Sequence, residues 1–153
     1  MGEIVTVFHG TSLNRAKQII ANRCIKATDD DNIRNKGTTK GYVYVTKRIC
    51  DALDFSIRPE LGEDCNTFVV FLIEVKEDEL LPDKDEGKWS STLSDGGLVD
   101  CFRIQRDLVF NNDVKAVFFK QMKNNKSAGA FMQAVQYGDI DIKDNEWRVL
   151  WHA

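Results

Sequence analysis

The sequence predicts an α+β domain, and three observations carry that expectation. Thr67-Phe68-Val69-Val70-Phe71-Leu72-Ile73-Glu74-Val75 is apolar almost throughout, as in a central strand covered on both faces. Short alternating stretches elsewhere mix strand and helix periodicities within one chain. Regular βαβ alternation is missing after Phe68, which disfavours a parallel doubly wound sheet. With 153 residues, 42% hydrophobic and 29% charged, the chain suits one domain, residues 1–153, with a sizeable core.

The first strand is read in Ile4-Val5-Thr6-Val7-Phe8-His9. Alternation puts Val5, Val7 and His9 on one face and Ile4, Thr6 and Phe8 on the other. The strand is expected to stop at His9, turn on Gly10 and enter a helix at Ser12, whose hydroxyl can cap the first turn. Leu13, Ala16, Ile19, Ile20 and Cys24 then fall on one stripe, predicting a helix over Leu13 to Arg23. Residues 27–40 are polar and read as a long loop of the kind that serves as a lid or binding loop.

Gly41-Tyr42-Val43-Tyr44-Val45-Thr46 is β-prone, with Tyr42 and Tyr44 on one face and the valines on the other. Thr46 is expected to cap a helix bearing Ile49, Ala52, Leu53 and Ile57, which Pro59 ends. After the central strand come an acidic connection at 77–87 and an irregular segment at 87–97. Strands follow over Val99 to Gln105 and, after the Asn111-Asn112-Asp113 turn, Val114 to Phe119. A helix from Ala128 to Tyr137, a short alternating stretch at 139–142 and a terminal strand from Glu146 to Trp151 complete the reading.

The net charge of -3 argues against a broad electrostatic grip on nucleic acid, though not against a local basic groove. Lys36, Lys40, Lys47, Arg48 and Arg58 could line such a groove or form a solvated surface. Cys24, Cys50, Cys65 and Cys101 form no CxxC pair, and the two histidines lie at no ligand spacing, so no metal site is expected. No apolar run reaches the ~20 residues that cross a bilayer, so no membrane partner is expected. Met1-Gly2-Glu3-Ile4 is unlike a secretory leader, and a cytoplasmic location is the expectation.

Three polar residues stand at informative places: His9 at a strand end, Tyr44 in the second strand and Glu146 at the head of the last. Singly they read as a satisfied core histidine, a packing tyrosine and a solvated acid. Taken in order they resemble the H-Y-E form of the ADP-ribosyltransferase fold, which includes the poly- and mono-ADP-ribosyltransferases related to diphtheria toxin. The resemblance rests on Phe8-His9-Gly10-Thr11-Ser12, on Tyr44-Val45-Thr46, on Phe55 eleven residues after Tyr44, and on Glu146-Trp147-Arg148-Val149.

The resemblance implies split antiparallel β-sheets flanked by short helices, NAD as co-substrate, and mono-ADP-ribosyl transfer to a macromolecule with release of nicotinamide. His9 would bond the adenosine-side ribose, the Gly10 backbone would bond the nicotinamide carboxamide, and Tyr44 with Phe55 would sandwich the ring. Glu146 would bond the nicotinamide-ribose 2′-hydroxyl and stabilise the oxocarbenium-like state. From their place at a helix start, Thr11, Ser12 and Arg15 are assigned to the pyrophosphate or adenosine. The spacing Gly41-Tyr42-Val43-Tyr44 is one residue longer than in many relatives, making Tyr42 a competing stacker. Ala52 stands where many poly-type relatives have a nicotinamide-bonding serine. Asp144, two before Glu146, leaves the acceptor open among protein, RNA and DNA. An RNA 2′-phosphotransferase-like enzyme and a non-catalytic NAD- or partner-binding module remain alternatives, and a toxin or defence role is an analogy with small enzymes of this type.

Overall fold

Residues 2–27, 41–48, 52, 67–82, 101–123, 127 and 147–153 are described in a computed structural model of the chain. In chain order the elements are β1 (Ile4–Thr11), helix α1 (Leu13–Asn22), β2 (Cys24–Ile25), β3 (Val43–Thr46), β4 (Thr67–Lys76) and a 3-10 turn (Glu77–Glu79). Then come β5 (Leu81–Pro82), β6 (Cys101–Ile104), β7 (Leu108–Val109), β8 (Val114–Gln121) and β9 (Arg148–His152). Seven strands form one sheet in the order β5-β6-β3-β1-β4-β8-β9, while β2 and β7 form a second. All pairings between these strands are antiparallel. The architecture is α+β-like and dominated by strands. Among the described residues no helix is long and apolar enough to cross a membrane.

β4 occupies the interior of the large sheet, between β1 and β8. Phe68, Val69, Val70 and Phe71 are fully buried, so both faces of the strand are covered, as its apolar run predicts. On one face Val7, Val43, Val45, Val69, Phe71, Ile73, Ile104 and Val117 form the main core. Helix α1 closes that face with buried Ala16 and with Leu13, Ile19 and Ile20 packed on the core. Ser12 caps the helix by accepting the Arg15 amide at 3.3 Å. Arg23 ends it in the left-handed region at φ 54, its N–H reaching the Ile19 and Ile20 carbonyls.

Two details differ from the sequence expectation. β1 does not stop at His9: it runs through Gly10 to Thr11, which pair with Val70 and Val69. A long neighbour such as β4 supplies backbone partners past the glycine, so Gly10 is a strand residue and not a turn. The Thr46 hydroxyl donates to the Arg48 carbonyl at 2.7 Å, and of the helix expected after it only Ala52 is among the described residues. The small β2–β7 sheet was not foreseen, because strands of two residues carry no readable alternation. The predicted helix over Ala128 to Tyr137 and the stretch at 139–142 lie outside the described residues.

A charged clamp closes one end of the sheet. Arg106 donates to both Asp113 oxygens at 2.8 Å and to Glu79 at 2.7 and 3.2 Å. Asp113 also accepts the Val109 amide at 2.9 Å. Burial pushes the Asp113 carboxyl up, but Arg106 and the Val109 amide outweigh it and leave it below the ordinary range. The Arg106 hydrogen bonds likewise hold the Glu79 carboxyl down.

Candidate functional site

The large sheet has one weak joint. β1 is registered against β4 at every position from Ile4 to Thr11, but against β3 at a single pair, Phe8 and Thr46. Continued antiparallel pairing would set Gly10 opposite Tyr44, two residues further along each strand. A side chain stands there instead. His9 Nδ1 lies 2.7 Å from the Tyr44 carbonyl oxygen. A carbonyl can only accept, so Nδ1 carries the proton, and in the neutral ring Nε2 is the acceptor.

His9 belongs to the core face of β1, with Val5, Val7 and Thr11, as alternation predicts. Its cross-strand partner on β4 is Phe71, whose ring meets the imidazole edge-on at 6.1 Å and 60°. Phe71 in turn packs edge-to-face on Phe110 at 6.2 Å, and Phe110 lies 4.5 Å from Trp151 of β9. Nδ1 thus donates to the Tyr44 carbonyl while the ring packs against Phe71.

Gly10 faces the other side of the sheet, with Phe8. There its backbone is pressed against Ala52: a Cβ on Gly10 would fall 1.7 Å from the Ala52 carbonyl oxygen. Any side chain is excluded, so glycine is required here by close approach of another backbone. Ala52 is itself fully buried, and its N–H reaches the Arg48 carbonyl at 3.4 Å. Tyr44 is registered against Arg103 and lies on the face away from buried Val43 and Val45, which is also the face of Gly10 and Ala52. Tyr42 shares that face, but Arg103 stacks on its ring, with Cζ 4.2 Å from the centroid.

Thr11 and Ser12 are buried, and the Ser12 hydroxyl accepts the Arg15 amide. Arg15 stands half-buried in the first turn of α1. The structure therefore brings His9, Gly10, Tyr44 and Ala52 to the β1–β3 seam, with Tyr42 one step further out. Phe55 and Glu146 lie outside the described residues; β9 begins two residues after Glu146. Sequence reasoning missed Phe71 and Arg103. Phe71 is hidden inside an apolar run, and only its register opposite His9 distinguishes it. Among the described residues no group of His, Cys, Asp and Glu side chains is placed to hold a metal ion.

No family model, curated protein or solved structure compared with the chain matches it.

Proposed function

We propose that the chain is an NAD-dependent mono-ADP-ribosyltransferase whose nicotinamide-ribose end lies at the β1–β3 seam. The observation that carries the reading is the meeting of His9 with Tyr44 and of Gly10 with Ala52. The H-Y-E resemblance assigns Gly10 and Tyr44, from two separate stretches of the chain, to the nicotinamide end of NAD and His9 to the adenosine-side ribose, and it sets Ala52 at a position where relatives carry a nicotinamide-bonding serine. They meet at one seam, with the His9 imidazole on the core face and the Tyr44 side chain on the face of Gly10 and Ala52, and that meeting supports the assignment.

NAD supplies a cationic nicotinamide that departs as a neutral leaving group from ribose C1′. The protein's task is to position the dinucleotide and to stabilise the positive charge left on the ribose. His9, whose Nδ1 donates to the Tyr44 carbonyl, contacts the adenosine-side ribose, as the resemblance assigns. The Gly10 peptide group bonds the carboxamide. Tyr44 stacks on the nicotinamide ring, a contact worth about 0.5–1.5 kcal/mol. Ala52 sets a methyl where a hydroxyl would add a hydrogen bond, so carboxamide recognition falls to the Gly10 backbone. Phe55 closes the second face of the ring and Glu146 holds the 2′-hydroxyl, as the resemblance assigns. The acceptor is a macromolecule, either protein or nucleic acid.

Calorimetric titration with NAD, followed by a nicotinamide-release assay, tests the reading. The wild type binds NAD and releases nicotinamide. His9→Ala loses at least tenfold in affinity. Binding without release would instead make the protein a non-catalytic module, and absence of binding would contradict the reading altogether.

A further inference from the structure

We infer that the exposed face of α1 is the docking surface for a nucleic-acid acceptor, gripped through its phosphates. Calling that nucleic acid the acceptor rests on the transferase reading; the surface itself does not. From Ile4 to Thr28 the chain holds Arg15, Lys17, Arg23 and Lys26 and not one Asp or Glu, although its net charge is -3. The helix spends its apolar stripe on the core and leaves the polar residues outside. Ala16 is buried, and Leu13, Ile19 and Ile20 pack on the core, whereas Asn14, Lys17, Gln18, Ala21 and Asn22 are exposed. Arg23, which ends the helix, and Lys26, which follows β2, are exposed as well.

Among the described residues no carboxylate forms an ion pair with Lys17, Arg23 or Lys26. Cations elsewhere are paired: Arg106 lies between Glu79 and Asp113, and Lys47, expected in a basic groove, lies 3.6 Å from Glu77 and over the Phe102 ring. Asp107, whose carboxylate accepts the Ala27 amide at 2.7 Å, borders the basic face next to Lys26. Phosphate oxygens and sugars are contacted by side chains of this kind, Lys and Arg with Asn and Gln between them. A protein partner asks for buried aromatic or aliphatic anchors, and a membrane for an apolar face to insert. Of the exposed α1 residues only Ala21 is apolar, so a nucleic acid fits this face better than either. The same helix opens at Ser12 and Arg15, assigned above to the pyrophosphate or adenosine, so an acceptor along α1 lies beside the dinucleotide. An acceptor oxygen or nitrogen bonds ribose C1′ as the bond to nicotinamide breaks, and its proton passes to water.

The probe is a fluorescein-labelled single-stranded oligonucleotide of ~20 nucleotides, as RNA and as DNA, read by fluorescence anisotropy. With Lys17, Arg23 and Lys26 each on a phosphate, log affinity falls against log salt with a slope of about -2, so the Kd rises roughly 15-fold between about 50 and 200 mM salt. The double variant Lys17→Glu with Lys26→Glu raises the Kd at least tenfold and flattens the slope. Lys76→Glu, at an exposed lysine that follows core residue Val75 and so faces the other side of the sheet, changes the Kd less than twofold. Both variants keep the wild-type unfolding midpoint. With NAD added, ADP-ribose appears on the bound oligonucleotide. No oligonucleotide binding, an equal loss in Lys76→Glu, or tighter binding of poly-glutamate or of anionic vesicles overturns the inference. Nicotinamide release with label on protein alone overturns it too. If the oligonucleotide binds through α1 but no NAD is cleaved, the surface stands and the proposed function falls.

Discussion

Gly10 and Ala52, forty-two residues apart in sequence, meet backbone to backbone, leaving no room for a Cβ on Gly10. The atom in the way is a carbonyl oxygen, which cannot swing aside as the end of a flexible side chain would. Gly10→Ala should therefore destabilise the fold by roughly 1–3 kcal/mol or more through forced displacement of one backbone. Urea denaturation of the variant measures this. A midpoint equal to wild type would show that the contact yields freely.

The site's two tyrosines should separate cleanly. Tyr44 sits at the seam and shares the face of Gly10, whereas the Tyr42 ring is covered by Arg103. A guanidinium on one ring face leaves a poor platform for a cationic nicotinamide. Tyr44→Ala should raise the Kd for NAD about tenfold, equivalent to about 1.4 kcal/mol, and Tyr42→Ala less than about threefold. The reverse order would make Tyr42 the stacking residue.

Much of this arrangement was legible in the sequence, for reasons that differ by residue. Alternation placed His9 on the core face, and Ser12 announced the start of α1, because both signals are local. The β4 run betrayed a central strand because only burial on both faces tolerates so many consecutive apolar side chains. Gly10 was misread as a turn because glycine's freedom is visible in a sequence, whereas the approach of Ala52 is not. Arg106 carried no signal at all: its partner Glu79 lies 27 residues away, and surface charges of that kind are common. The proposed NAD site rests in the sequence on His9, Tyr44, Phe55 and Glu146, of which Phe55 and Glu146 lie outside the described residues.

The Arg106 clamp makes a stability prediction independent of function. Asp113 is nearly buried, its side chain 11% exposed, and would lose its cationic partner in Arg106→Ala. An uncompensated carboxylate of this kind costs on the order of 1–3 kcal/mol, moderated here because Arg106 is 38% exposed. Thermal denaturation of Arg106→Ala against Arg106→Lys measures it. Lysine retains the charge but not the fork of donors, so its loss should be intermediate.

The same clamp sets an acid limb. The Arg106 hydrogen bonds lower the Glu79 carboxyl, and Asp113 is lowered despite its burial. Carboxyls lower in the folded than in the unfolded chain bind fewer protons when folded. Their contribution is complete above the ordinary carboxylate range and is lost as pH falls through the folded values. Stability should therefore decline with acid below about pH 5, and Arg106→Ala should flatten that decline. Equal slopes in the two proteins would remove the clamp from the acid response.

The central claim is that the seam serves NAD cleavage, and release of nicotinamide from NAD tests it most directly. The wild type, given NAD and a cell lysate as a source of acceptor, should release nicotinamide and leave labelled ADP-ribose on a macromolecule. Glu146→Ala, folded as judged by its unfolding midpoint, should release almost none, while His9→Ala should require far more NAD for the same rate. Equal turnover by wild type and Glu146→Ala, or no NAD binding and no release by the wild type, would contradict the account.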